Sequence, residues 1–258
     1  MTADDRFRTM PGTVQLRLTV TGSVALSPHM QRLSLTAPEL VDFGYLPGQD
    51  VMLLVATDGD RPVRRRYSIR TLDAKAGLLT LDIVRHSEGP EHAEGPGERW
   101  VRTAAPGVTI EGIGPRGKVS PVPDADWHLF IGDESALAAI FSMAESLPPE
   151  ASATVILEVP EAADEQDLHA QAEVQLSWLH RGGQPAGEPD ALLAAARSVP
   201  IPSGARRPHA YLIGEAKVVS RLREALSERG LAPEQISPKA YWGRGKANEN
   251  RGEPAKDE

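Results

Sequence analysis

From Val14 onward apolar and polar side chains alternate one for one: Val14, Leu16, Leu18 and Val20, with Gln15, Arg17, Thr19 and Thr21 between them. A period of two predicts a strand with one face in a core and the other in water. Similar stretches follow at residues 30–37, 50–56, 66–71, 78–85 and 108–112, separated by turn residues such as Pro47-Gly48, Asp58-Gly59-Asp60 and Pro106-Gly107. Six short strands with no long helix among them predict a small antiparallel barrel, a closed form without unpaired edges. Beyond Ser120-Pro121-Val122-Pro123-Asp124, a linker because its prolines cannot join a central ladder, the period changes. Strand patterns at 127–132, 153–159, 174–180, 210–214 and 236–242 alternate with helical ones at 134–147, 189–199 and 216–229. This predicts a parallel sheet covered on both faces, with ligands bound beyond the strand C-termini. The expected fold is therefore all-β plus α/β: a six-stranded antiparallel barrel over residues 1–122, then a parallel-sheet nucleotide-binding domain over 123–258 ending in a polar tail.

A chain of 258 residues has room for two such cores. Asp and Glu outnumber Lys and Arg by 36 to 28, a net charge of -8, which argues against a nucleic-acid partner. There is no cysteine, which excludes disulfides, thiolate nucleophiles and Cys-ligated metals. Any redox chemistry must come from a cofactor. The opening MTADDRFRTMPG lacks the apolar run of a secretory signal, and no stretch reaches a membrane span, so the expectation is a cytoplasmic chain.

Against this acidic background, five arginines between Arg61 and Arg70 mark a local anion site or a solvated basic strand. Inside the run lies an RxYSxR pattern: Arg65, Tyr67, Ser68 and Arg70. Strand geometry puts Arg65 and Tyr67 on one face, Ser68 and Arg70 on the other. A guanidinium fork for phosphates, an aromatic ring for a flat face and a hydroxyl for its edge suit flavin adenine dinucleotide, FAD. Downstream, Gly97 precedes Glu98-Arg99-Trp100-Val101, either a surface loop or the start of a short helix whose amides receive a phosphate. Gly114-Pro115-Arg116-Gly117 reads as a tight turn presenting Arg116 to an acid or an anion. In the second half, Gly132, Asp133, Glu134 and Ser135 occupy the first strand-to-helix turn. They form a helix cap, a dinucleotide site or both, and two carboxylates there repel a pyrophosphate. Glu158 and the acidic loop after it (Glu161, Asp164, Glu165, Asp167) suit a ribose hydroxyl and disfavour a 2'-phosphate, favouring NADH over NADPH.

The blocks RRYSIR, GPRG, DWHLFIGDESALAAI, QLSWLHR, YLIGEAKVV and AYWGRG, taken in order, resemble the siderophore-interacting protein family, FAD-dependent ferric-siderophore reductases within the ferredoxin-reductase-like flavoenzymes. The resemblance implies that Arg65 and Arg70 serve the FAD pyrophosphate, Tyr67 stacks on the isoalloxazine, Ser68 meets its N5 edge and His86 lies close by. It further implies that NADH or NADPH reduces FAD, which reduces a ferric siderophore and so releases Fe(II), with Arg116 and Lys239 steering the chelate. No acid, base, nucleophile or resident metal need come from the chain, and a monomer is expected. Glu98 stands where the family has a small hydroxyl residue, and Met52 where members often have a lysine. Two alternatives are a flavin reductase serving a protein acceptor and a non-catalytic flavin- or siderophore-binding module.

Overall fold

The computed structural model describes residues 12–59, 61–85 and 94–244. The chain divides into two compact units, residues 1–117 and 118–258. The first is a closed barrel of β1 (Val14–Ser27), β2 (Met30–Thr36), β3 (Asp50–Asp58), β4 (Arg61–Asp73), β5 (Leu78–Val84) and β6 (Thr109–Arg116), in the order β1-β2-β5-β4-β3-β6. The alternation in β1 has the expected cause: Leu16, Leu18 and Val20 are buried while Gln15 and Arg17 face water. They meet Leu33, Leu35, Leu53, Ile69, Leu79 and Leu81 in one apolar core. Helix α1 (Pro96–Thr103) adds Trp100 and Val101 to that core.

Two elements run longer than their patterns. β4 takes in the whole arginine run from Arg61, and β6 continues through the residues expected to turn, with Gly114 paired to Val14 and Arg116 to Asp50. The glycines carry β6 across the core. A Cβ on Gly112 would lie 2.6 Å from Leu53 Cδ2, and one on Gly114 would lie 2.9 Å from Val51 Cγ1. Bare backbone there lets the opposite wall pack against the strand, and the turn comes at Gly117, whose φ is 100°.

The second unit holds β7 (Trp127–Asp133), β8 (Ser152–Val159), β9 (Glu173–His180), β10 (Pro208–Glu215) and β11 (Ile236–Trp242) in one parallel sheet ordered β11-β10-β7-β8-β9. Helices α3 (Asp190–Ser198) and α4 (Ala216–Glu228) share a core with Trp127, Leu129, Ile131 and Leu212. The expected helix at 134–147 is a 3-10 turn, Glu134–Ala136, leading into α2 (Leu137–Glu145). The proline-rich segment is tied to this unit, because Val122 N donates to Tyr211 Oη at 2.7 Å.

The alternate residues of β7 and β10 form a second layer. His128 Nδ1 lies 3.2 Å from Tyr211 Oη, Phe130 stacks on Tyr211 with centroids 4.7 Å apart, and His209 shares a hydrogen bond with Ser237 Oγ at 2.9 Å. Burial pushes His209 down to about 4, helped by neighbouring His128, which burial also lowers. A histidine held neutral in the fold but titrating near 6.5 when unfolded gives its full stability above that pH. That share is lost as pH falls from 6.5 toward 4, at no more than about 1.4 kcal/mol per pH unit. Urea titrations of the wild type and His209→Gln should therefore converge as pH drops from 6.5 to 4. A gap that stays constant would refute a neutral buried His209.

Candidate functional site

On β4, Arg65 and Tyr67 face helix α1. A Cβ on Gly97 would come within 3.0 Å of Tyr67 Oη and 3.2 Å of Arg65 Cγ, so only glycine lets the helix approach this closely. One turn on, Trp100 packs on Tyr67 with ring centroids 5.6 Å apart at 35°. Burial holds the Tyr67 phenol above its ordinary range, with the Arg65 charge pulling the other way. Among the described residues the start of α1 has no side-chain cap. Pro96 brings no N–H, Gly95 supplies no side-chain cap, and first-turn amides have no acceptor within their own helix. Arg65 donates Nη1 to the Arg64 carbonyl at 2.9 Å, which uses one of its five N–H groups. Among the described residues Trp100 Nε1 is buried without an acceptor. Glu94, the nearby acid, is held by Arg102 at 2.6 Å and by Arg99 at 3.3 Å; these bonds lower its pKa, the Arg102 one most. Glu98 stands in the first turn, where its charge opposes an anion.

Ser68 and Arg70 lie on the opposite face, both buried. Ser68 pairs across the ladder with Asp50, whose buried carboxylate takes a two-pronged bond from Arg66, Nε to Oδ1 at 2.9 Å and Nη2 to Oδ2 at 2.5 Å. Met52 Sδ accepts from Arg116 Nη1 at 2.8 Å, which brings a cation from β6 onto this position of β3. Arg70 Nε lies 3.6 Å from Asp82, a buried acid that Arg32 grips at 2.6 and 2.7 Å. The Arg66–Asp50 and Arg32–Asp82 pairs went unread in the sequence, since only strand register brings them together. His86 falls outside the described residues.

At the carboxyl edge of the second unit, Gly132 lies where a Cβ would be 2.6 Å from the Ile213 carbonyl and 2.7 Å from Ala136 Cβ, which makes it a packing glycine. Asp133 caps the following turn, accepting from Ser135 N at 3.0 Å and from Ser135 Oγ. Its other oxygen accepts from Trp242 Nε1 at 2.9 Å and Glu215 N at 3.1 Å. Burial, then the charge of Glu134, push Asp133 up to about 6. Glu134 is clamped by both Arg181 nitrogens at 2.5 and 2.6 Å. Arg181 also reaches Glu158 at 3.5 Å, and burial still raises Glu158 to about 7. Glu158 is thus tied down, while Glu161, Glu165 and Asp167 are exposed beside it. Lys239 is buried on β11 at 3% exposure, its ammonium 5.2 Å from the Tyr241 ring centre.

A closed antiparallel barrel bearing a guanidinium, a phenol and a helix start without a side-chain cap, followed along the chain by a doubly wound parallel sheet, is a ferredoxin-reductase-like fold. The ferredoxin-NADP+ reductase of Plasmodium falciparum has the same fold, at 13% identity and a TM-score of 0.68 over 88% of this chain and 96% of that one. Residues 54–119 match the family model for the siderophore-interacting FAD-binding domain, and residues 125–245 that for the siderophore-interacting protein. Ferric vibriobactin reductase ViuB of Vibrio cholerae is 31% identical over 87% of this chain and 88% of its own. A siderophore utilization protein from T. fusca is 33% identical, with a TM-score of 0.80 over 93% of this chain and 97% of that one. The chain belongs to the siderophore-interacting protein family. It is an FAD-binding member related to ferric vibriobactin reductase. The residues present fit FAD: among the described residues Arg65 spends one N–H on the Arg64 carbonyl, α1 has no side-chain cap, and the Trp100 indole N–H is buried without an acceptor beside the Tyr67 ring.

Proposed function

We propose that this chain is an FAD-dependent ferric-siderophore reductase driven by a reduced nicotinamide nucleotide, working as a cytoplasmic monomer. The observation that carries the reading is the junction of β4 and α1, where Arg65, Tyr67, Gly97 and Trp100 meet at a helix start with no side-chain cap. When bound, FAD accepts electrons in pairs and passes them on singly, the conversion that a two-electron donor and Fe(III) require. The chain's part is to hold and orient. Arg65 and the first amides of α1 take the pyrophosphate, Tyr67 offers its ring to the isoalloxazine, and buried Ser68 offers a hydroxyl at its edge. Arg70, resting against Asp82, adds positive charge on the Ser68 side of the strand. On the barrel, Arg116 is the cation offered to an anionic chelate. Hard oxygen donors hold Fe(III) much better than Fe(II), so reduction releases the metal. The summed negative charge of the exposed acids Glu161, Glu165 and Asp167 opposes the approach of a 2'-phosphorylated donor through space, without contact to the adenosine ribose, which favours NADH over NADPH. Among the described residues no helix is long and apolar enough to cross a membrane.

The purified protein should be yellow, bleach anaerobically with NADH, and regain its colour when a ferric chelate is added while an Fe(II) trap develops in step. Bleaching without reoxidation by any ferric chelate would point to a protein acceptor. A colourless protein that fails to take up added FAD would point to a binding module.

A further inference from the structure

In a doubly wound sheet, a dinucleotide lies in the crevice outside the strand ends where strand order reverses, its pyrophosphate on the free amides of a helix start. Here the reversal falls between β7 and β10. Two helical segments begin at that point, Glu134–Ala136 leading into α2, and α4. Both starts are occupied by the chain's own carboxylates. Asp133, 4% exposed, accepts from the turn it precedes and, across the reversal, from Glu215 N and Trp242 Nε1. Glu215, 2% exposed, accepts from Lys217 N at 2.5 Å and Val218 N at 2.9 Å with one oxygen, and from Arg244 N at 3.2 Å with the other.

Space is closed as firmly as the amides. A single carbon added to Gly214 would lie 2.6 Å from Asp133 Oδ2. Gly187, at φ +79°, sits on the other two groups: a Cβ there would be 3.0 Å from both Glu215 Cγ and Trp242 Cη2. Its loop is fastened by Arg244, which donates to the Ala186 carbonyl at 2.8 Å and pairs with Glu188 at 2.6 Å. The next two acids along this edge, Glu134 and Glu158, are locked on Arg181. A pyrophosphate arriving here would meet two carboxylates already holding the amides it needs, and would have to displace an indole.

We infer that this crevice does not hold the adenylate half of a dinucleotide, and that the donor class is the dihydronicotinamide head itself. NADH, the reduced mononucleotide NMNH and simple N-alkyl dihydronicotinamides are then comparable donors. Each gives up the same hydride from C4, two electrons with one proton, and leaves as the pyridinium. The donor half of this inference rests on the proposed reductase reading; the closed crevice does not.

Two measurements on the full-length, FAD-saturated protein test it. In calorimetry, ADP-ribose should give no saturable heat up to about 1 mM, and a Kd below roughly 0.1 mM would overturn the closed crevice. In anaerobic stopped flow, the second-order rate of flavin bleaching by NMNH should fall within about tenfold of that by NADH, whereas a larger deficit means that adenylate contacts supply binding energy and overturns the inference. If neither donor bleaches the flavin, the nicotinamide reading and the donor half fall together, while the calorimetry still decides the crevice.

Discussion

Arg65→Ala protein is expected to purify without colour and to bind added FAD at least about 100-fold more weakly than the wild type. Two charge-assisted hydrogen bonds to a phosphate contribute about 1.5–3 kcal/mol each, and every 1.4 kcal/mol is a factor of ten. Arg65→Lys keeps the charge but loses the planar fork, so it should recover only part of the affinity. Arg66→Ala is the control. Its guanidinium already serves Asp50, so its loss should leave FAD affinity within about threefold and lower stability instead, by removing a two-pronged bond from a buried carboxylate. Titration of apo-protein with FAD, followed by flavin fluorescence, measures all three. Unchanged affinity in Arg65→Ala would remove the phosphate role from the strand.

The largest stability effect belongs to Arg181. Its side chain is 8% exposed between Glu134 at 12% and Glu158 at 4%. Arg181→Ala leaves two buried carboxylates facing each other near Asp133, which should cost about 3–5 kcal/mol near pH 8. The pH dependence has a definite sign. Glu158 is raised to about 7 even with Arg181 in place, and a carboxyl raised above its unfolded value near 4.3 favours the fold when protonated, at low pH. That contribution fades as pH rises through the folded value. Without Arg181 the folded value climbs further, so the loss should be greatest near pH 8 and shrink toward pH 6. Chemical denaturation at the two pH values measures this, and a deficit that grows on acidification would contradict the assignment.

The architecture could be read from one chain because burial imposes periods. Leu16, Leu18 and Val20 alternate because a barrel wall has two faces, and Ile236–Trp242 reads as a strand because it lies in a sheet covered by helices. The RxYSxR stretch was legible for the same reason, its parity separating Arg65 and Tyr67 from Ser68 and Arg70. Side-chain partners over long separations were not. Asp133 bonds to Trp242 across 109 residues and Arg181 to Glu134 across 47. Nothing local in Gly132-Asp133-Glu134-Ser135 distinguishes a carboxylate that caps its own turn from one that borders a ligand. The extension of β6 through Pro115 was hidden for a related reason. Glycine and proline signal a turn, and only the tight packing of Leu53 and Val51 shows why this strand carries glycines.

The first strand divides its length between two neighbours, residues 14–19 pairing with β6 and residues 19–27 with β2. The second partner is the adjacent hairpin, while the first is made roughly ninety positions later, with Thr109–Arg116. During translation the leading half of β1 must therefore wait, its backbone unpaired, until roughly ninety further residues have emerged. The exposed Gln15 and Arg17 on the solvent face of that waiting segment keep it from presenting an uninterrupted apolar ribbon to other nascent chains.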